Sequence, residues 1–218
     1  MRITYNNPPV KNEVPYQKAD NNASKIEKDN NEEVLESTEK VVKNSRKKCS
    51  ISEKIKTMFV AQLQAELTNF SMYNSFAVWF ETNGLDDLGK YYRARANEEL
   101  NHHQWIMDYL SDCDADFKYP NIPNIDIDSN NAVQPFEITV DREIETTGGI
   151  NRIASQACKE GDWGTISFLN GNYSDGKLIP EQIEEESISR TALDIMRMDA
   201  SILRRQKEVY EFYFNKRK

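Results

Sequence analysis

From about residue 50 onward, apolar side chains recur every third or fourth position, the spacing of one buried helix face. Ile55, Met58, Phe59, Leu63, Leu67, Phe70, Ala77 and Phe80 mark a first helix. Ser50-Ile-Ser-Glu53 has the spacing of a capping box at its start, and Asn83-Gly84 stops it. Leu88, Tyr92, Leu100, Ile106, Met107 and Leu110 mark a second helix, with Asp86 or Asp87 as its cap. The short link between the two predicts antiparallel neighbours.

Residues 111–134 lose this period and carry two prolines among many Asn and Asp. A connection of that length between helices predicts a chain that crosses the length of a bundle. Pro135 suits the first turn of a third helix, with Phe136, Val140, Ile144, Ile150, Ile153, Ala154 and Ala157 as its apolar positions. Gly148-Gly149 interrupts it, at about 1 kcal/mol per glycine relative to alanine. The helix stops at Gly161, and Asp162 to Pro180 carries Gly171 and Gly176 without a clear period. A fourth helix starts near Leu178 and breaks near Asp199. A last amphipathic piece, with Ile202, Leu203, Val209, Tyr210 and Phe214, ends the chain. The pattern predicts an all-α fold: an up-down pair, a long crossover, and a second pair.

Hydrophobic residues make up only 38% of the 218, and the mean hydropathy is −0.76. The deficit is concentrated at the front. Residues 1–49 are rich in Asn, Lys and Glu and lack the apolar surface needed to offset chain entropy, so they are expected to form a disordered extension. Residues 50–218 are expected to form the helical domain. What the extension binds cannot be read from it. A net charge of −8 argues against general nucleic-acid binding and suits a protein that attracts cations. Three cysteines with no CxxC pair, no long apolar run and no leader-like h-region predict a cytoplasmic protein, neither spanning a membrane nor secreted.

Both histidines, His102 and His103, lie on the second helix, and Glu99 is three residues before His102 on the same face. Alone, Glu98-Glu99-Leu-Asn-His102 reads as a solvated face. Three further features change that. Glu66 lies inside the apolar stripe of the first helix, with Tyr73 two turns later. Glu143 sits between Val140 and Ile144, and Gln182-Ile-Glu-Glu185 gives another i, i+3 pair. Each helix therefore offers a carboxylate near its core face. Unpaired buried carboxylates are costly, and a multivalent cation is the usual compensation. An oxygen-rich set with one imidazole suits iron or manganese rather than zinc or copper.

These residues resemble the bacterial non-haem ferritins. Leu63-Gln-Ala-Glu66-Leu and Asn97-Glu-Glu99-Leu-Asn-His102 are similar to that family's first helical pair, as are the separation of 33 between Glu66 and Glu99, and Tyr73 and Trp79. Phe136 through Glu143 to Asn151 is similar to its third helix, and Glu181-Gln-Ile-Glu-Glu-Glu186 to its fourth. The resemblance covers roughly residues 50–200. It implies a ferritin-like four-helix bundle with a long crossover and a short C-terminal fifth helix, assembled as a homo-oligomeric 24-subunit shell. It also implies the site. Glu66, Glu99 and His102 would hold one iron, and Glu99, Glu143 and Glu185 a second, with Gln182 nearby and Tyr73 as electron donor. Glu98, Glu181, Glu184 and Glu185 would form a third iron site; read from the residues alone, Glu98, Glu181 and Glu184 are equally a solvated acidic face. Leu100 stands where haem-binding relatives carry methionine, so no haem is expected.

The implied activity is iron storage with ferroxidase chemistry: Fe²⁺ is oxidised by O₂ or H₂O₂ and the Fe³⁺ passes to a mineral. The alternative is a non-storing di-iron or manganese oxidase, or a peroxide-consuming protein, that forms no cage. Two departures from the family keep it open: the N-terminal extension, and a longer Asp162–Gln182 segment with an insertion near 170–177 where neighbouring subunits would meet.

Overall fold

In the computed structural model of the protein, residues 49–123, 131–172 and 177–217 are described. They form six helices: α1 (Glu53–Thr82), α2 (Asp86–Asp112), α3 (Gln134–Glu160), α4 (Trp163–Leu169), α5 (Leu178–Arg197) and α6 (Ile202–Lys216). Residues 1–48 and 173–176 lie outside the described residues, so most of the expected extension and part of the insertion do too. Cys49 is half-buried against the core, and the Ser50 amide donates to the Cys113 carbonyl at 3.0 Å.

Two apolar cores fix how the helices run. Near the α1–α2 turn, Phe76 and Phe80 pack with Tyr91, Tyr92, Phe136, Ile188, Ala192 and Met196. At the other end, beside the α1 cap, Ile55, Phe59 and Leu63 pack with Ile106, Leu110, Ile150, Ile153, Phe168 and Leu178. Since α2 finishes in the cap-end core and α3 begins in the turn-end core, the connection between them spans the bundle, as its length predicts. α1 and α5 run one way, and α2 and α3 the other. The aromatic rings of the turn-end core interlock: Phe80 stacks on Tyr92 at 5.5 Å and lies 6.0 Å from Phe136.

Several local expectations need correction. Ser52, not Ser50, caps α1, its hydroxyl accepting from the Ile55 amide at 3.1 Å, because Ser52 stands three residues before that amide. α2 begins after Leu85 with no side-chain cap; Asp86 and Asp87 lie inside its first turn, where their charge favours the helix N-terminus. Ile144 faces solvent, since the buried face of α3 follows Thr139, Glu143, Thr146, Ile150 and Ile153, and Ile144 lies about 100° around from Glu143. The segment after Gly161 opens with a short helix that periodicity did not reveal. Asp162 caps α4, accepting from the Thr165 amide at 3.0 Å, and seven residues are too few to show a period.

The fourth and last helices start and stop close to where the pattern places them, around the break at Asp199. α6 then folds back along α2 and α5 of its own bundle, its Tyr213 ring 5.1 Å from Tyr91. No helix among the described residues is long and apolar enough to cross a membrane.

Candidate metal centre

Between the two cores the inward seam turns polar. α1 contributes Gln62, Glu66 and Asn69; α2 Arg95, Glu99 and His102; α3 Thr139, Glu143 and Thr146; α5 Gln182, Glu185 and Ser189, and all are buried. Each set keeps the i, i+3, i+4 register of the apolar residues around it. In α2 the seam runs Leu88, Tyr92, Arg95, Glu99, His102, Ile106, Leu110, so helical geometry alone carries the charges inward.

His102 is the hub. Its Nδ1 lies 3.8 Å from Glu66 Oε2 and 3.9 Å from Glu99 Oε2, and its Nε2 lies 3.7 Å from Glu185 Oε1 and 3.9 Å from Glu181 Oε2. Gln62 Nε2 donates to the other Glu66 oxygen at 2.7 Å. Glu143 is fully engaged: Oε1 accepts from the Tyr73 hydroxyl and from Arg95, each at 2.5 Å, and Oε2 accepts from Gln182 at 2.8 Å. Both oxygens of Glu99, both of Glu185 and Oε2 of Glu66 are buried with no hydrogen-bond donor. Buried carboxylate oxygens without donors are strongly disfavoured in an apolar interior. Three groups of ligand atoms lie within 4.8 Å of one another: Glu66–Glu99–His102, Glu99–Glu143–Glu185 and His102–Glu181–Glu185. Glu99 is common to the first two.

The electrostatics follow from this crowding. Burial, reinforced by the charges of Glu143, Glu66 and Glu185, holds the Glu99 carboxyl well above the usual range. Burial also pushes Glu185 up to about 7, against the pull of His102 and Arg95. Burial alone would lower His102, but the charge of Glu185 and contacts with Glu181, Glu66 and Glu99 outweigh it and raise the imidazole well above its ordinary value. For Glu66 the balance goes the other way: burial raises it, yet His102 and hydrogen bonding bring it below the usual carboxylate value. Tyr73 is raised by burial and by Glu143 and Glu99, so it stays a neutral phenol that donates to Glu143. A multivalent cation would balance the charge that burial disfavours here.

The family model for the ferritin-like domain matches residues 58–198. The chain belongs to the ferritin family. It is similar to the ferritin BfrB of Mycolicibacterium smegmatis, 31% identical over 149 residues that cover 67% of this chain and 77% of that one. It is similar to the bacterial non-heme ferritin of Campylobacter jejuni, 25% identical over 148 residues, 68% of this chain and 85% of the other. Among solved structures it is similar to an open pore ferritin from the hyperthermophilic archaeon Archaeoglobus fulgidus, with a TM-score of 0.68 and 25% identity over 74% of this chain and 98% of that one.

Within this ferritin bundle, the structure brings Glu66, Tyr73, Glu99, His102, Glu143, Gln182 and Glu185 together around one buried volume. Glu181 stands at its rim beside His102. Glu98 and Glu184 lie further out and surround a cation. The Arg217 guanidinium is 2.9 Å from Glu98, 3.4 Å from Glu184, 3.7 Å from Glu181 and 3.7 Å from Glu185. Three participants escaped the reading of the sequence: Gln62, Arg95 and Arg217. Arg95 carried a usable signal, since it occupies an inward seam position four residues before Glu99. Gln62 carried the same kind of signal four residues before Glu66. Arg217 carried none, because only the back-folding of α6 delivers it. His103, next to His102, points elsewhere and pairs with the Tyr119 hydroxyl at 2.7 Å.

Proposed function

We propose that this ferritin is a cytoplasmic iron-storage protein that binds Fe²⁺ as substrate at Glu66, Glu99, His102, Glu143 and Glu185 and oxidises it with O₂ or H₂O₂. The observation that carries this reading is the Glu99 carboxylate, wholly buried between two ligand groups with neither oxygen hydrogen-bonded. Two Fe²⁺ ions yield two electrons, which with two protons reduce O₂ to H₂O₂, or H₂O₂ to two waters. The Fe³⁺ produced then passes to a mineral. Glu99 bridges the two positions. Tyr73 lies one hydrogen bond from Glu143; when three Fe²⁺ supply three electrons, it can add the fourth electron and its phenolic proton, which with three further protons reduce O₂ to two waters. Gln182, a neutral amide, positions Glu143 and adds no charge, which favours release of product over a permanent cofactor. Membership of the family supports a homo-oligomeric shell, in this reading of 24 copies. Residues 1–49 are read as an appendage that the domain does without.

A second reading, an oxidase of iron or manganese that forms no shell, is favoured by one observation: Arg217 already sits among Glu98, Glu181, Glu184 and Glu185, the residues assigned to a third iron. One preparation tests both. At saturating Fe²⁺ without oxygen, each chain is expected to bind at least two ions, and air should then oxidise them faster than buffer alone does. Oxidation no faster than the buffer blank refutes the enzymatic reading. A large closed particle by native mass measurement supports storage, whereas a dimer that oxidises iron and retains no mineral supports the second reading.

A further inference from the structure

One charged group in the centre has no part in that chemistry. Arg95 is wholly buried, its guanidinium 2.5 Å from Glu143, 3.0 Å from Glu98 and 3.3 Å from Glu185, and 5.8 Å from the centre of the Tyr73 ring. A guanidinium does not lose its proton in a protein, so it is a permanent charge among the proposed ligands.

Arg95 makes the two metal positions unequal. At Glu66–Glu99–His102 the oxygens of Glu99 and one of Glu66 have no donor, and among the described residues no arginine or lysine is paired with either carboxylate. At Glu99–Glu143–Glu185 it meets Arg95 already on Glu143 and facing Glu185, with Tyr73 and Gln182 holding the rest of Glu143. Charge balance points the same way. The four wholly buried carboxylates match two divalent cations. With Arg95 among them, a second divalent cation leaves these five buried groups one charge positive, an excess that only the rim carboxylates Glu98 and Glu181, already shared with Arg217, could offset.

We propose that Arg95 is a specificity-determining residue, a built-in cation that ranks the two positions. The first divalent ion fills Glu66–Glu99–His102, and the second binds weakly until Arg95 withdraws from Glu143 and Glu185. Glu98, already paired to it and lying outward, is the partner it keeps. The inference rests on the metal-binding reading above.

The test is a titration of the full-length protein with Co²⁺ alone, followed by calorimetry and by Co²⁺ absorbance. Wild type is expected to bind one ion tightly and a second about a hundredfold or more weakly, the order produced by a unit charge a few ångströms away in a partly polar site. Arg95→Gln, which keeps an amide donor without the charge, should narrow that gap by at least about tenfold while moving the first constant little. Arg95→Lys, which keeps the charge, should preserve the gap. Equal constants in wild type, an unchanged gap in Arg95→Gln, or a gap abolished in Arg95→Lys each overturns the proposal. If Arg95→Gln does not fold, wild type and Arg95→Lys still decide it. A wild-type protein that binds no Co²⁺ refutes the metal centre itself, a failure distinct from a pair of equal sites.

Discussion

The turn-end core and the polar waist below it share the same four helices in the same register, with α6 added to the core, yet they solve opposite problems. Around Phe80, Tyr92 and Phe136 the inward groups are apolar or aromatic and packed against others like them, apart from Thr139, whose hydroxyl pairs with that of Tyr92 at 3.2 Å. A few turns away along the same seams, Glu66, Glu99, Glu143 and Glu185 are equally buried, but several of their oxygens have no donor. Burial stabilises the first region and strains the second. Stability and function are therefore separated along the bundle axis, and substitutions in the two regions should behave in opposite ways.

The largest contrast is between Phe80→Ala and Glu99→Ala. Removing the Phe80 ring leaves a cavity beside Tyr92 and Phe136 and should cost about 3–5 kcal/mol in urea unfolding. Glu99→Ala removes a buried anion crowded by Glu143, Glu66 and Glu185, so the metal-free protein should hold its stability or gain some, while rapid ferrous oxidation is nearly lost. A large loss of metal-free stability in Glu99→Ala would place Glu99 with the core instead.

The same contrast has a pH signature. Glu99 and Glu185 have folded-state values above their unfolded ones, Glu185 at about 7, and His102 is also raised. Groups so raised favour the folded state below their unfolded values, and that contribution is lost as pH rises through the folded ones. Glu66, lowered, acts in the opposite sense, with its contribution lost as pH falls through the acid range. Between pH 5 and 8 the raised groups dominate, so the metal-free protein should become less stable by a few kcal/mol as pH rises. Saturating Co²⁺ should reverse this slope, because metal binding competes with protons. A pH-independent melting temperature without metal would mean that the waist is already balanced.

The bundle was legible in the sequence because its long helices bury one face, and a face repeats. The proposed ligands were legible for the same reason: Glu66, Glu99 and Glu143 interrupt apolar stripes, and a charge in such a stripe needs explaining. Arg95 obeyed that rule and was passed over, since an arginine between two alanines reads as surface until other helices supply its partners. Contacts set by tertiary folding left no pattern at all. Arg217 reaches Glu98 and Glu184 only because α6 turns back at residues 198–201, and nothing in its own amphipathic stripe says which neighbour it covers.

The smallest expected effect lies where α3 passes close to Gln62 of α1, at the glycine pair that interrupts α3. Helix propensity alone treats Gly148 and Gly149 alike, each about 1 kcal/mol worse than alanine. Their surroundings do not. A Cβ on Gly148 would meet only the far end of the Arg152 side chain, at 3.2 Å. That end can move into solvent, so Gly148→Ala should be neutral or stabilise by up to about 1 kcal/mol. A Cβ on Gly149 would lie 2.2 Å from the carbonyl oxygen of Gln62, whose amide donates to Glu66. Gln62 is buried, and moving it strips Glu66 of its one donor, so any propensity gain is offset by an overpacking cost of about 1–3 kcal/mol. Gly149→Ala should therefore leave stability within about 2 kcal/mol of wild type in thermal melts, yet weaken the first Co²⁺ site, which uses Glu66. If both substitutions leave that site unchanged, Gly149 is a helix blemish like its neighbour, and the close approach of α3 to Gln62 has no bearing on the centre.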